Sequence, residues 1–294
     1  MVSVTMPIDC RFWGLFMRSA RRTNFTRRRA VNLVERADRY DLYQKSVQDV
    51  VWEMQFVEQV FRERRGRAPL RLREDFCGTA LAACEWVRRD RRHEAIGVDL
   101  DAVVLAWGRQ HNLTKLTPSA VKRLTLLEAD VLTVDTPPVD LLLAFNFSYW
   151  VFKQRATLRE YFHRVRRSLA ADGVFMLDAY GGYDAFRQMR ERQDFGRYIY
   201  IWEQAEYEPI SGTATCHIHF VFPDGSRLKR AFSYHWRLWT LPELRELLLE
   251  AGFANVIVYL EGTDKKTGEG NAVFAPAERG EADAAWIAYL VAEP

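Results

Sequence analysis

A chain of 294 residues, 48% of them hydrophobic, has room for one large mixed α/β domain or for a domain carrying an insertion. Its net charge of +3 gives no nucleic-acid footprint over the whole chain, and no apolar run approaches the ~18 unbroken residues of a membrane span. The four cysteines, Cys10, Cys77, Cys84 and Cys216, show no C-x-x-C spacing, which argues against a disulfide framework or a zinc site and for a reducing, cytoplasmic setting.

Residues 1–30 hold seven arginines against a single acid, Asp9, with no apolar stretch suited to secretion. They are expected to form an untethered basic N-terminus, the alternative being a docking arm for an anionic partner. From Val31 the chain turns amphipathic. Tyr40, Tyr43, Val47, Val50, Val51, Phe56, Val57 and Val60 recur at helical spacing, so one or two helices are expected within 31–68. A core then begins near 69, with a strand over Leu70–Glu74 and a helix over Leu81–Arg89. A strand over Ala95–Asp99 follows, and then a helix over Ala102–His111 with Val103, Val104 and Trp107 inward. Strands are expected at Leu124–Glu128, at the apolar Val139–Phe145 and at Val174–Asp178, with a helix over 154–170 before the last. Alternation repeated this often implies a parallel sheet with helices on both faces.

The pattern changes after 196. Residues 197–239 read as an antiparallel insertion, in which Ala214, Cys216, Ile218, Phe220 and Phe222 share one face and Thr215, His217, His219 and Val221 the other. Pro223-Asp224-Gly225 marks a hairpin. The core resumes over 240–294. Thr240 and Glu243 form a capping box for a helix ending at Gly252, and strands are expected at Val256–Leu260 and Trp286–Ala292, around a Gly/Lys/Glu-rich loop at 262–270.

The segment Leu72 to Ala80 carries most of the chemistry. It reads as a strand end, a tight turn (Cys77-Gly78-Thr79) and a helix start, and Asp99 closes the next strand about 20 residues on. A bare-backbone turn followed by such an acid is the pairing that holds a nucleoside-containing cofactor, with the carboxylate accepting from ribose hydroxyls.

With these residues in place, the chain resembles the class I S-adenosylmethionine-dependent methyltransferases over about 70–292. Glu74 stands at the acidic position of that family's first motif and Cys77, Gly78 and Thr79 at the end of its turn, while Phe76 and Ala80 occupy places where glycines are usual. Asp99 matches the ribose-binding acid, with Leu100 beside it. Asp130 matches the acid that meets the adenine amino group, with Val131 offering its backbone, and Asn146 stands at the fourth motif, near the transferring methyl. The resemblance implies a seven-stranded, mostly parallel Rossmann-like sheet, with an antiparallel β insertion after the fifth strand serving as a substrate lid. It also implies S-adenosyl-L-methionine as cofactor and in-line transfer of its methyl group to an N or O atom of a small molecule. Tyr43 is a candidate beside the sulfonium; Tyr180, Tyr234 and Arg237 are candidates at the acceptor, Arg237 as a carboxylate clamp. His217, His219 and His235 have the residue type of metal ligands, but a histidine pair on a half-exposed strand face reads as polar surface.

Other classes remain open. A methyltransferase of RNA or protein could use the basic N-terminus, although Asn146-Phe-Ser-Tyr149 lacks the two prolines with which base-methylating relatives grip a flipped base. A dehydrogenase should show G-x-G-x-x-G, whereas Ala80, Ala83 and Glu85 stand here. A non-catalytic nucleotide-cofactor binder is the third possibility. Neither a membrane nor a nucleic-acid partner is expected, and the sequence leaves monomer and homodimer open.

Overall fold

The computed structural model describes residues 32–263 and 270–294, so the expected basic arm at 1–30 lies outside the described residues, as does most of the loop at 262–270. Two helices come first, α1 (Arg39–Val47) and α2 (Val50–Arg65). Each starts at an aspartate that satisfies free amides: Asp38 accepts from Tyr40 and Asp41, and Asp49 accepts from Trp52. Gly66, at φ 68°, closes α2 in the left-handed conformation. The apolar side of α2 puts Met54, Val57 and Phe61 into the core.

The core then alternates as the pattern requires: β1 (Arg71–Asp75), α3 (Leu81–Arg89), β2 (Glu94–Asp99), α4 (Ala102–His111), α5 (Pro118–Val121), β3 (Leu124–Glu128), β4 (Val139–Ala144), α6 (Arg155–Ser168) and β5 (Leu169–Gly181). An antiparallel run follows, with β6 (Met189–Asp194), β7 (Ile199–Glu208), β8 (Thr213–Val221) and β9 (Arg227–Arg237), and the chain ends with α7 (Leu241–Glu250), β10 (Asn255–Thr263), β11 (Gly270–Pro276) and β12 (Trp286–Glu293). The main sheet runs β11-β10-β12-β5-β4-β1-β2-β3, and β6-β7-β8-β9 form a separate sheet. β1 to β5 pair in parallel, whereas β12 lies antiparallel between β5 and β10. The last strand therefore inserts between two strands that precede it in the chain.

β4 shows why both faces had to be apolar. Leu142 and Ala144 pack with Leu158, Phe162 and Leu244 of α6 and α7, while Leu141 and Leu143 pack on the other face with Met54, Val57 and Ala83 of α2 and α3. Strand order reverses where β1 sits between β2 and β4, which opens a crevice at their carboxyl ends.

Three expectations need correction. The main sheet has eight strands instead of seven, because Gly270–Pro276 adds an outer edge antiparallel to β10. Val103 is 65% exposed, since the Asp101 cap sets the phase of α4 so that Val104, Leu105 and Gly108 face inward. The antiparallel strands begin at Met189, before the expected 197, because β6 is a polar edge strand with no apolar alternation to read. Among the described residues no helix is long and apolar enough to cross a membrane.

Candidate active site

The crevice is built by turns held in costly conformations. After β1 the chain passes through Phe76 (φ 56°), Gly78 (φ 51°) and Ala80 (φ 56°). For the two non-glycines the left-handed region costs ~1–2 kcal/mol each. Phe76 offsets this by packing its ring against Phe152 and Tyr161, at 5.9 and 5.7 Å. The positions where glycine is usual are thus the positions where the backbone takes a glycine-like form. The turn is tied down by Cys77 N–H donating to Val98 O (3.0 Å) and by Ala80 N–H donating to Cys77 O (2.8 Å). Helix α4 reaches it closely, since a Cβ on Gly108 would stand 2.4 Å from Thr79 O. Thr79 is buried and its hydroxyl accepts from Gln44 of α1.

Two of the predicted acids, Glu74 and Asp99, lie at this turn. Glu74 is buried and accepts Ala83 N–H at 3.0 Å; burial pushes its carboxyl up to about 8. Asp99 accepts from Gly78 N–H at 2.7 Å and from Asp101 N–H at 2.9 Å, and burial raises it too. Leu100, next in the chain, is 68% exposed. An apolar side chain laid bare beside a carboxylate suits a nucleoside, whose base covers the one while its sugar meets the other. Asp130 accepts Leu132 N–H at 2.9 Å, closing an Asx turn after β3, and the Val131 side chain is buried. Cys77 is buried, and burial pushes its thiol well up, which disfavours the nucleophilic thiolate.

A second turn lies across the crevice. Asn146 (φ 59°) and Phe147 (φ 56°) are both left-handed, and their N–H groups donate to the Asp178 carboxylate at 2.7 and 2.9 Å. Asp178 is buried, and desolvation pushes it up to about 7 in spite of those two bonds. Beyond it a cavity opens between the main sheet and the β6–β9 sheet. Asn146, Asp178 and Tyr289 lie on the main-sheet side, and Tyr43, Asp49 and Glu53 come from the N-terminal helices. Tyr200, Trp202, Tyr234 and Trp236 come from the smaller sheet.

Of the candidate acceptor-site residues, Tyr180 and Tyr234 line this cavity. Tyr234 stacks on Trp236 at 4.3 Å, and the buried Tyr180 hydroxyl has no hydrogen-bond partner. Arg237 does not line it. Its guanidinium pairs with Glu243 at 2.9 Å, donates to Lys153 O at 3.2 Å and covers the Trp239 ring at 3.8 Å, so the expected clamp is a structural ion pair. Tyr40 packs on Trp107 and Phe232 at 5.5 and 6.1 Å, and Tyr183 is exposed. On the opposite face of the small sheet each histidine has a polar neighbour: His217 with Ser233, His219 with Glu203 and Arg230, His235 with Thr215.

Sequence reasoning missed Glu53. It is buried in the cavity wall, and desolvation, with the charges of Asp178, Glu74 and Asp49 adding to it, pushes its carboxyl up to about 8. The signal was present: Glu53 lies three residues after Val50 and four before Val57, a charge inside the apolar stripe of α2.

No family model and no curated protein matches this chain. Solved structures do. An amino pentose methyltransferase from Micromonospora echinaspora, bound to S-adenosylmethionine, superposes with a TM-score of 0.62 at 16% identity, covering 92% of this chain and 99% of that one. An S-adenosylmethionine-dependent methyltransferase from Clostridium acetobutylicum gives 0.61 at 16%, covering 85% and 96%. A sugar N-methyltransferase from a Streptoalloteichus species gives 0.57 at 17%, covering 94% and 99%. Strand order, crevice and likeness together show that this chain has the class I S-adenosylmethionine-dependent methyltransferase fold.

Proposed function

We propose that the protein is an enzyme that binds S-adenosyl-L-methionine and transfers its methyl group to an N or O atom of a small, sugar-like molecule held under the β6–β9 sheet. The observation that carries this reading is the division of the crevice. Asp99 and exposed Leu100 stand on one side of the strand-order reversal, and an aromatic-lined cavity that includes Asn146 stands on the other. The first side suits adenosine and the second a methyl acceptor. In this reading Asp99 takes the ribose hydroxyls, Leu100 covers the adenine face, Asp130 and the Val131 backbone meet its edge, and Glu74 with the Cys77–Thr79 turn holds the methionine end. When bound, the cofactor supplies a methyl group already activated by its sulfonium.

The chain's own task is to align and to exclude water, and proximity alone is worth about 7–11 kcal/mol at best. Tyr43 and the rings of the small sheet line the cavity, and in this reading their faces attract the sulfonium by ~0.5–2 kcal/mol. The same flat rings suit the C–H face of a sugar, the acceptor class named for two of the matched structures.

Thermal shift against S-adenosylhomocysteine, nicotinamide adenine dinucleotide and an RNA oligomer tests this. Stabilisation by the first alone is expected, and Asp99→Ala should weaken it at least tenfold, ~1.4 kcal/mol, while keeping the fold. A shift with the dinucleotide or the RNA alone would falsify the proposal.

A further inference from the structure

We infer that the methyl acceptor is an amine, received in the cavity as its ammonium ion between Asp49, Glu53 and Asp178, and that Glu53 takes its proton before transfer. The inference rests on the methyltransferase reading and names the acceptor group and the residue that prepares it.

Charge is the first argument. Three carboxylates line the cavity, and among the described residues none of them forms an ion pair. The one lysine in the lining, Lys45, is spent on Asp41 at 2.6 Å. Burial without a counter-charge drives Glu53 and Asp178 toward their protonated forms, and an entering cation restores the ionised forms where a hydroxyl brings no charge.

Hydrogen-bond capacity is the second and independent argument. Asp49 Oδ2, Gln48 Oε1 and the Tyr180 hydroxyl are buried in residues that line the cavity and have no hydrogen-bond partner, the first two being acceptors only. The other Asp49 oxygen caps α2 through Trp52 N–H. Asp178 has each oxygen engaged by a backbone amide, so it contributes charge more than free lone pairs. The vacant capacity is therefore oxygen-rich and calls for a ligand with several N–H donors, which an ammonium group supplies. Trp202, Tyr234 and Trp236 add ring faces that attract the same charge.

The proton count closes. An ammonium ion gives one proton to the Glu53 carboxylate and becomes a neutral amine with a free lone pair. The amine nitrogen forms a bond to the methyl carbon as the carbon–sulfur bond breaks, with that bond's electron pair going to sulfur. The products are a methylated ammonium, a neutral thioether and a protonated Glu53, which returns its proton to solvent. Burial that lifts Glu53 to about 8 brings the carboxylate near the range of an amine and leaves it far below that of an alcohol.

The test uses the full chain saturated with S-adenosylhomocysteine, titrated with cyclohexylamine and with cyclohexanol, and reads binding by isothermal titration calorimetry. Amine binding at least tenfold tighter than alcohol binding is expected. Glu53→Gln should weaken the amine at least tenfold and leave the alcohol within twofold, and Asp49→Asn, the second variant, should weaken the amine severalfold. Equal binding of the two probes, no binding of the amine, or unchanged amine affinity in both variants overturns the inference. If the wild-type chain fails to bind S-adenosylhomocysteine, the methyltransferase reading itself fails, and the two failures are told apart in that first step.

Discussion

At the residue scale, Ala80 and Phe76 pay conformational energy that glycine would avoid, and the site keeps them through neighbouring contacts. Ala80 is fully buried at the start of α3 with φ 56°, while Ala83, equally buried, sits inside the helix. Both lose one methyl on mutation to glycine, worth ~0.8 kcal/mol. Ala83→Gly adds a helix penalty of ~1 kcal/mol, whereas Ala80→Gly recovers ~1–2 kcal/mol of left-handed strain. Urea titration should therefore find Ala83→Gly about 1–2 kcal/mol below wild type and Ala80→Gly within about 1 kcal/mol of it. Equal losses would mean that the turn is unstrained. Asp99 was legible because its spacing from Gly78 is short and local, and the two residues do bond. Glu53 was not, because a carboxylate in an apolar stripe acquires meaning only from partners far along the chain, such as Asp178.

At the element scale, β5 holds the turn that follows β4. Asp178 accepts both left-handed amides, of Asn146 and Phe147, and its own carbonyl accepts the Tyr149 hydroxyl at 2.8 Å. Asp178→Ala removes two charge-assisted bonds and leaves two strained amides without partners. A loss of at least ~2 kcal/mol is expected, read by thermal or urea unfolding. A loss under ~0.5 kcal/mol would show that the turn holds by itself. Most elements were legible from local rules. The Thr240–Glu243 capping box has both of its bonds, and the Pro223–Gly225 hairpin closes with Gly225 at φ 83°. The strands β6 and β11 were not legible: both are outer edges of their sheets, so their alternation is weak and their pairing is set by β7 and β10.

At the scale of the whole molecule, the parallel half supplies a carboxylate-edged crevice, while α1, α2 and the β6–β9 sheet close a cavity beside it. The first was readable because strand-end residues keep their order in the chain. The second joins residues from Tyr43 to Tyr289, and no local pattern announces which of them meet. The most direct test is a crystal structure of the full chain with S-adenosylhomocysteine. The ribose hydroxyls should lie on Asp99, the adenine over Leu100, and the sulfur should point past Asn146 toward Glu53 and Asp178. Adenosine bound elsewhere, or the sulfur turned away from that cavity, would contradict the account.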